Sequence, residues 1–184
     1  MVGSSSGPKG PTLLEKASRI RLLLTDCDGV LTDGSVYYSE RGEALKCFNI
    51  RDGMGVERLR KLANIETGII TGELSESVQR RAEKLKITCL ELGCKNKILA
   101  LDRVASSRDL SPESIAYIGD DVNDLGIMGL VGLTAAPADA MPEVKKAVDV
   151  VCHFNGGRGA FREFAEFILS AQVPQREVGR FPTE

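Results

Sequence analysis

Two aspartates stand two residues apart where an apolar run ends, in Leu22-Leu23-Leu24-Thr25-Asp26-Cys27-Asp28-Gly29-Val30-Leu31-Thr32-Asp33-Gly34. Carboxylates in that position do little for stability but can hold a hard cation or attack an electrophile. Taken alone, the string also suits a turn or a calcium loop. Other segments share its shape. Ile69-Ile70 runs into Thr71-Gly72, and Ala116-Tyr117-Ile118 runs into Gly119-Asp120-Asp121-Val122-Asn123-Asp124. Lys97 opens an apolar-periodic segment after Gly93-Cys94-Lys95-Asn96. Asp26, Asp28 and Asp120 form a hard, oxygen-only set suited to Mg2+. Lys97 adds a fixed positive charge, and Thr71 adds a hydroxyl donor. Such a set fits phosphate esters, whose charge must be cancelled before a carboxylate can attack. Asp121 and Asp124 read either as support for that set or as N-terminal helix charges favoured by the dipole.

The elements that must position these residues follow from the same pattern. Short apolar runs bounded by Gly and polar residues read as buried strands, and the stretches between them repeat apolar residues at helical spacing. Strands are expected over 20–25, 67–71, 88–90, 116–118, 131–134 and 148–152. Helices are expected around Val56, Leu59 and Leu62, around Val78, Ala82 and Leu85, around Ile98, Leu101 and Ala105, and on the Phe161, Phe164, Phe167 and Ile168 stripe. This alternation predicts an α/β fold: a Rossmann-like parallel sheet flanked by helices, with ligands bound at the carboxyl ends of the strands. Val36-Tyr37-Tyr38 and Ala44-Leu45-Lys46-Cys47-Phe48 flank a polar turn, predicting a protruding β-hairpin over about 35–49. No cap domain fits in the gaps before Ile69 or before Lys97.

Composition narrows the function classes. The 184 residues suit one domain, with 42% hydrophobic content for a single core. We expect a flexible leader over 1–18, the catalytic domain over 19–172 and a mobile tail over 173–184. The formal charge of −2 is spread without a basic patch, so no nucleic-acid partner is expected. No run is long enough for a membrane span. The Gly/Ser/Pro-rich start lacks the apolar core of a signal peptide. Cys27, Cys47, Cys89, Cys94 and Cys152 form no C-x-x-C pair, which suits reduced thiols in the cytoplasm. Cys27 sits between the two aspartates, but strand alternation turns it away from them.

With these motifs in order, residues 19–170 resemble the haloacid dehalogenase-like phosphatases, whose first motif is Asp-x-Asp-Gly-x-Leu-Thr. The resemblance implies that Asp26 becomes phosphorylated and that Asp28 is the general acid/base. It also implies that Thr71 and Lys97 bind the transferring phosphoryl group, and that Asp26, the Asp28 carbonyl and Asp120 bind Mg2+. The short hairpin, Asn49-Ile50-Arg51-Asp52-Gly53 and Gly156-Gly157-Arg158-Gly159 narrow the resemblance to small, capless, tetrameric phosphatases of 3-deoxy-2-keto sugar acids. That group implies a homotetramer joined through the hairpins, with each site roofed by a neighbour and Arg51 near the phosphate end. The glycine turn is either a ligand-facing loop or a plain helix start.

One departure bears on the substrate. Glu73 follows Gly72 where octulosonate phosphatases usually carry arginine, and Arg81 and Lys84 share a helix face able to grip a carboxylate. This Glu, Arg, Lys set resembles the nine-carbon deoxynononate 9-phosphate phosphatases, so a nine-carbon, sialic-acid-type 9-phosphate is the favoured expectation. The 3-deoxy-manno-octulosonate 8-phosphate phosphatases are the alternative. A tetramerising accessory domain like that of some sialic acid cytidylyltransferases is another, although such a domain has no need to keep Asp26, Asp28, Thr71, Lys97 and Asp120. A phosphomutase would need a cap, and a metal-binding module would have no use for Thr71 and Lys97.

Overall fold

The computed structural model describes residues 10–174. Its elements run α1 (Leu13–Ser18), β1 (Leu22–Thr25), β2 (Val36–Ser39), β3 (Gly42–Lys46), α2 (Ile50–Ala63), β4 (Glu66–Ile70), α3 (Glu76–Leu85) and β5 (Cys89–Glu91). They continue as α4 (Lys97–Arg108), β6 (Ile115–Ile118), α5 (Leu125–Met128), β7 (Leu133–Ala136), α6 (Pro142–Ala147), β8 (Val150–Val151) and α7 (Ala160–Gln172).

Every residue of β1 is buried, as a strand covered on both faces requires. It lies inside a six-stranded parallel sheet of order β5-β4-β1-β6-β7-β8, paired with β4 and β6. Strand alternation divides the core. Leu23 packs with Val56, Leu59, Ile69, Phe161 and Phe164 on the face covered by α2 and α7. Leu22 and Leu24 pack with Ala100, Leu101, Val104 and Tyr117 under α4. Each fully buried Leu or Phe contributes about 1.5–3 kcal/mol of transfer free energy, which fixes the register and therefore which residues emerge at the strand ends.

The α/β class, the parallel sheet and the hairpin after β1 match the sequence expectation. Several boundaries move: β7 lies at Leu133–Ala136 rather than 131–134, and β8 shrinks to Val150–Val151. The leader needs a larger correction, because residues 13–18 form α1. Thr12 caps it in a capping box with Glu15, Ala17 is buried, and the Gln172 side chain donates to the carbonyls of Ala17 and Ile20 at 2.9 Å each. Residues 1–9 and 175–184, half of the expected leader and most of the expected tail, lie outside the described residues.

The hairpin is the exception to this burial. β2 and β3 pair antiparallel with an irregularity at Tyr37/Tyr38, and they form a separate two-stranded sheet. Tyr37 is 57%, Tyr38 74% and Leu45 63% exposed. Two strands are marginal alone, and this pair is tied to the domain by polar contacts made from β3.

Candidate active site

The sheet delivers three loops to one edge. Asp26 follows β1 directly, and its backbone N–H donates to the Ile118 carbonyl at 3.0 Å, pinning it between β1 and β6. Its Oδ1 accepts from the Cys27 N–H at 2.7 Å. The loop then folds back as the N–H groups of Val30, Leu31 and Thr32 donate to the Cys27 carbonyl. Gly29 takes φ +85°, and a Cβ there would lie 2.0 Å from Asp120 Oδ2, so only glycine lets the loops after β1 and β6 approach this closely. Gly156 does the same from behind, since a Cβ there would lie 1.8 Å from the Gly29 carbonyl oxygen. The Gly156-Gly157 turn therefore supports the Asp26–Asp28 loop from behind.

Lys97 begins α4, where Asn96 caps the helix through the Leu99 N–H at 3.2 Å. Its ammonium is buried and reaches Asp124 Oδ1 at 2.6 Å, Asp26 Oδ1 at 3.1 Å and the Tyr117 hydroxyl at 3.1 Å. Asp124 is wholly enclosed and its acceptors are fully used. Oδ1 takes Lys97 and the Tyr117 hydroxyl, and Oδ2 takes the backbone N–H groups of Asp120 at 3.0 Å and Asp121 at 3.3 Å. Asp124 thus holds the lysine and shapes the acidic loop.

Asp26 and Asp120 have free capacity and carry the strain of their surroundings. Burial first, then the nearby Asp124 charge, pushes Asp26 up to about 6 against the pull of Lys97. Burial, then Asp26 and Asp124, pushes Asp120 up to about 7. Burial pulls the Lys97 ammonium down, but Asp26 and Asp124 outweigh it and its pKa is raised. Carboxylate oxygens of Asp26, Asp120 and Asp124 lie within 4.8 Å of one another. Crowded anions with only oxygen donors fit a hard divalent cation such as Mg2+. With Asp124 fully hydrogen-bonded, Asp26 and Asp120 are the carboxylates left to hold it.

A cleft of about 200 Å³ opens here, lined by Asp26, Asp28, Thr71, Gly72, Glu73 and Asp120 together with Asp121 and Asn123. A larger hollow of about 600 Å³ near Arg21, Asn64, Thr88 and Arg108 lies at the other end of the strands. It contains none of the reactive set. Thr71 is buried and held by its N–H to the Glu91 carbonyl at 3.0 Å, while its hydroxyl accepts from the Glu73 N–H at 3.3 Å. Glu73 is exposed, and Lys95 lies 3.9 Å from it and donates to the Gly72 carbonyl at 2.9 Å. The chemical core of the expected set is therefore brought together: Asp26, Asp28, Thr71, Lys97 and Asp120, with Asp121 beside them.

The outer residues are not all gathered. Arg51 is exposed in the first turn of α2, outside the cleft lining. Lys84 is also exposed. Arg81, expected to pair with Lys84 on a carboxylate, turns inward: its guanidinium donates to the Asn49 carbonyl at 2.9 Å and stacks 5.6 Å over Phe48. One arm of its fork is thereby held within its own chain. Sequence reasoning missed Lys46, whose ammonium lies 2.5 Å from Asp28 Oδ1. It also missed Asn123 in the cleft wall.

Comparison with known proteins supplies the context. Residues 55–163 match the family model of haloacid dehalogenase-like hydrolases. The chain is 45% identical over 166 residues to the 3-deoxy-D-manno-octulosonate 8-phosphate phosphatase of Salmonella typhimurium, covering 90% of this chain and 88% of that protein. The crystal structure of the same-named phosphatase from Yersinia pestis superposes with a TM-score of 0.84 at 42% identity, covering 87% of this chain and 86% of the other. The Moraxella catarrhalis phosphatase, solved with magnesium, phosphate and a KDO molecule, gives a TM-score of 0.84 at 34% identity over 87% and 91% of the two chains.

Proposed function

The chain belongs to the haloacid dehalogenase-like hydrolases, and on that premise we propose that it removes the 8-phosphate from 3-deoxy-D-manno-octulosonate through an aspartyl-phosphate on Asp26. It is a phosphoric monoester hydrolase that uses Mg2+. The observation that carries the mechanism is the buried Lys97, held by Asp124 at 2.6 Å and presented to Asp26 at 3.1 Å beside the cleft.

In this reading the Asp26 and Asp120 carboxylates with the Asp28 backbone carbonyl would hold Mg2+, which when bound would supply positive charge to offset the negative charge of the phosphate. Lys97 and the Thr71 hydroxyl bind phosphoryl oxygens. An Asp26 carboxylate oxygen bonds to phosphorus as the ester P–O bond breaks, and its electron pair stays on the sugar oxygen. Asp28 gives that oxygen a proton. It then takes one from the water that attacks the phospho-aspartate, releasing inorganic phosphate and restoring Asp26.

Substrate choice corrects the nine-carbon expectation. The relatives at 45% and 42% identity carry the octulosonate 8-phosphate name, and the Moraxella structure holds the eight-carbon acid. Gly72 and Glu73 are proposed to contact the sugar, with Arg51 and Lys84 offered to a neighbouring subunit's site. A homotetramer through the exposed Tyr37, Tyr38 and Leu45 completes the reading and would roof an otherwise open cleft. Five unpaired cysteines favour a reduced, cytoplasmic setting.

Among the described residues no helix is long and apolar enough to cross a membrane. The accessory-domain alternative leaves the intact Asp26, Lys97 and Asp120 set without a purpose.

Kinetics on the eight-carbon 8-phosphate and the nine-carbon 9-phosphate, with Mg2+ and with excess chelator, test the reading. We expect kcat/KM to favour the eight-carbon ester by about tenfold or more, the scale of one-carbon discrimination, and chelation to abolish turnover. Preference for the nine-carbon ester would overturn the substrate assignment.

A further inference from the structure

Lys46 lies on the hairpin, an element with little burial of its own, yet its side chain has no solvent exposure. Removing an ammonium from water costs several kcal/mol unless it is paired, and two carboxylates compensate it. Asp28 Oδ1 lies 2.5 Å away and Glu43 Oε2 3.4 Å away. Glu43 Oε1 in turn accepts from the Ser75 hydroxyl. Ser75 is the buried N-cap of α3, on the loop that follows Thr71 and Gly72. The chain Asp28–Lys46–Glu43–Ser75 thus joins the loop after β1, the hairpin and the start of α3.

The two oxygens of Asp28 are treated differently. Oδ1 is held by Lys46 at 2.5 Å and lies 3.4 Å from the Thr32 hydroxyl. Oδ2 is buried and has no hydrogen-bond partner among the described residues. The Asp28 side chain nonetheless keeps 24% exposure and lines the cleft where the ester must sit.

We propose that Lys46 is a positioning residue for proton transfer: by clamping Oδ1 at 2.5 Å it fixes the rotamer of the Asp28 carboxyl at the cleft. This rests on the assignment of Asp28 as general acid/base under the proposed function. During attack the P–O bond breaks, the electron pair stays on the leaving oxygen, and the proton passes to it from the Asp28 carboxyl. During hydrolysis the same carboxyl receives a proton from the attacking water. Lys46 can stay on Oδ1 in both states, because a carboxyl oxygen accepts a hydrogen bond whether or not the group is protonated. The hairpin therefore contributes to catalysis through one residue as well as offering an apolar surface.

Leaving-group dependence separates this role from a structural one. A misplaced acid matters most for poor leaving groups, and misplacement by about 1 Å can cost on the order of a hundredfold. The measurement is kcat/KM with Mg2+ on aryl phosphates from p-nitrophenyl to phenyl, and on the eight-carbon sugar-acid 8-phosphate. Lys46→Met, Lys46→Gln, Lys46→Arg and Asp28→Asn are compared, with sedimentation and melting to verify assembly.

We expect Lys46→Met to lose about ten- to a hundredfold more on phenyl phosphate and the sugar ester than on p-nitrophenyl phosphate. Lys46→Gln should fall between Met and wild type, and Lys46→Arg should recover most of the slope. Asp28→Asn should show the steepest dependence. Equal losses on all esters, or no loss, in both uncharged Lys46 variants while Asp28→Asn keeps its steep slope would overturn the role of Lys46 alone. A flat Asp28→Asn series would overturn the assignment of Asp28, and this inference with it.

Discussion

The carboxyl edge of the sheet and the β2–β3 hairpin meet at Asp28 but are built on opposite physical terms. At the sheet edge, Asp26, Asp124, Thr71 and Lys97 are all buried, and the paired strands β4, β1 and β6 deliver Thr71, Asp26 and the acidic loop to it. On the hairpin, Tyr37, Tyr38 and Leu45 face outward, while Glu43 and Lys46 turn in. Chemistry that tolerates errors of a fraction of an ångström rests on the rigid edge. Assembly and substrate cover are proposed for the element that costs least to alter. Damage to the edge should therefore abolish activity, and damage to the hairpin should grade it.

The largest effect is expected at Asp26. Asp26→Asn should fold normally and lose Mg2+-dependent phosphate release to below about one percent of wild type, since an amide cannot attack phosphorus. Steady-state assay and a melting curve together check this. Lys97→Met comes next. It strands Asp124 and Asp26 without their cation and should destabilise the fold by about 3–5 kcal/mol as well as remove activity, read by denaturant unfolding. A milder loss would mean that Tyr117 and the two backbone donors suffice to hold Asp124.

On the hairpin, Tyr37→Asp should leave the monomer folded while weakening self-association by about 2 kcal/mol or more per interface. Sedimentation over a concentration series reads it, and activity should follow the assembled fraction. Full activity in a stable monomer would break the contrast between the two regions, because the hairpin would then have no covering role.

The smallest effect concerns Asp52, buried where α2 meets α7 and accepting from the Arg162 N–H at 3.0 Å. Burial pushes it up to about 6, against hydrogen bonds and the Arg81 and Arg162 charges. The folded state thus holds its proton more tightly than the unfolded state, so this group costs stability as pH rises from about 4 through about 6. Asp52→Asn should match wild type near pH 4 and exceed it at pH 7.5 by about 1–2 kcal/mol. Urea titrations at both pH values measure the difference.

Most of the sheet edge was legible because Asp26, Asp28, Thr71 and Asp120 sit where apolar runs stop, and sheet geometry places strand ends together. Lys97 is marked differently, as the residue that opens an apolar-periodic segment. The role of Asp124 was not legible, because spacing cannot tell a ligand from an acceptor already filled by Lys97, Tyr117 and two backbone donors. Lys46 gave no periodic signal, since a lysine on a polar hairpin reads as solvated until the fold brings Asp28 to it. The glycine turn at Gly156 reads either as a ligand-facing loop or as a helix start, because its backbone neighbour, Gly29, is distant in sequence. α1 could have been found: Thr12 and Glu15 have capping-box spacing just ahead of the chain's first strand. The Arg81 contacts with Phe48 and the Asn49 carbonyl were not legible, because a shared helix face does not say which element it is turned toward.

A trapped intermediate tests the central claim most directly. Enzyme in excess is mixed with phosphorus-labelled octulosonate 8-phosphate and Mg2+, quenched in acid within the first turnover and reduced with borohydride before peptide mapping. If the sheet edge works as proposed, label appears on the protein during that turnover and reduction converts Asp26, and no other carboxylate, to homoserine. Turnover without any labelled protein, or label on another residue, would contradict the account.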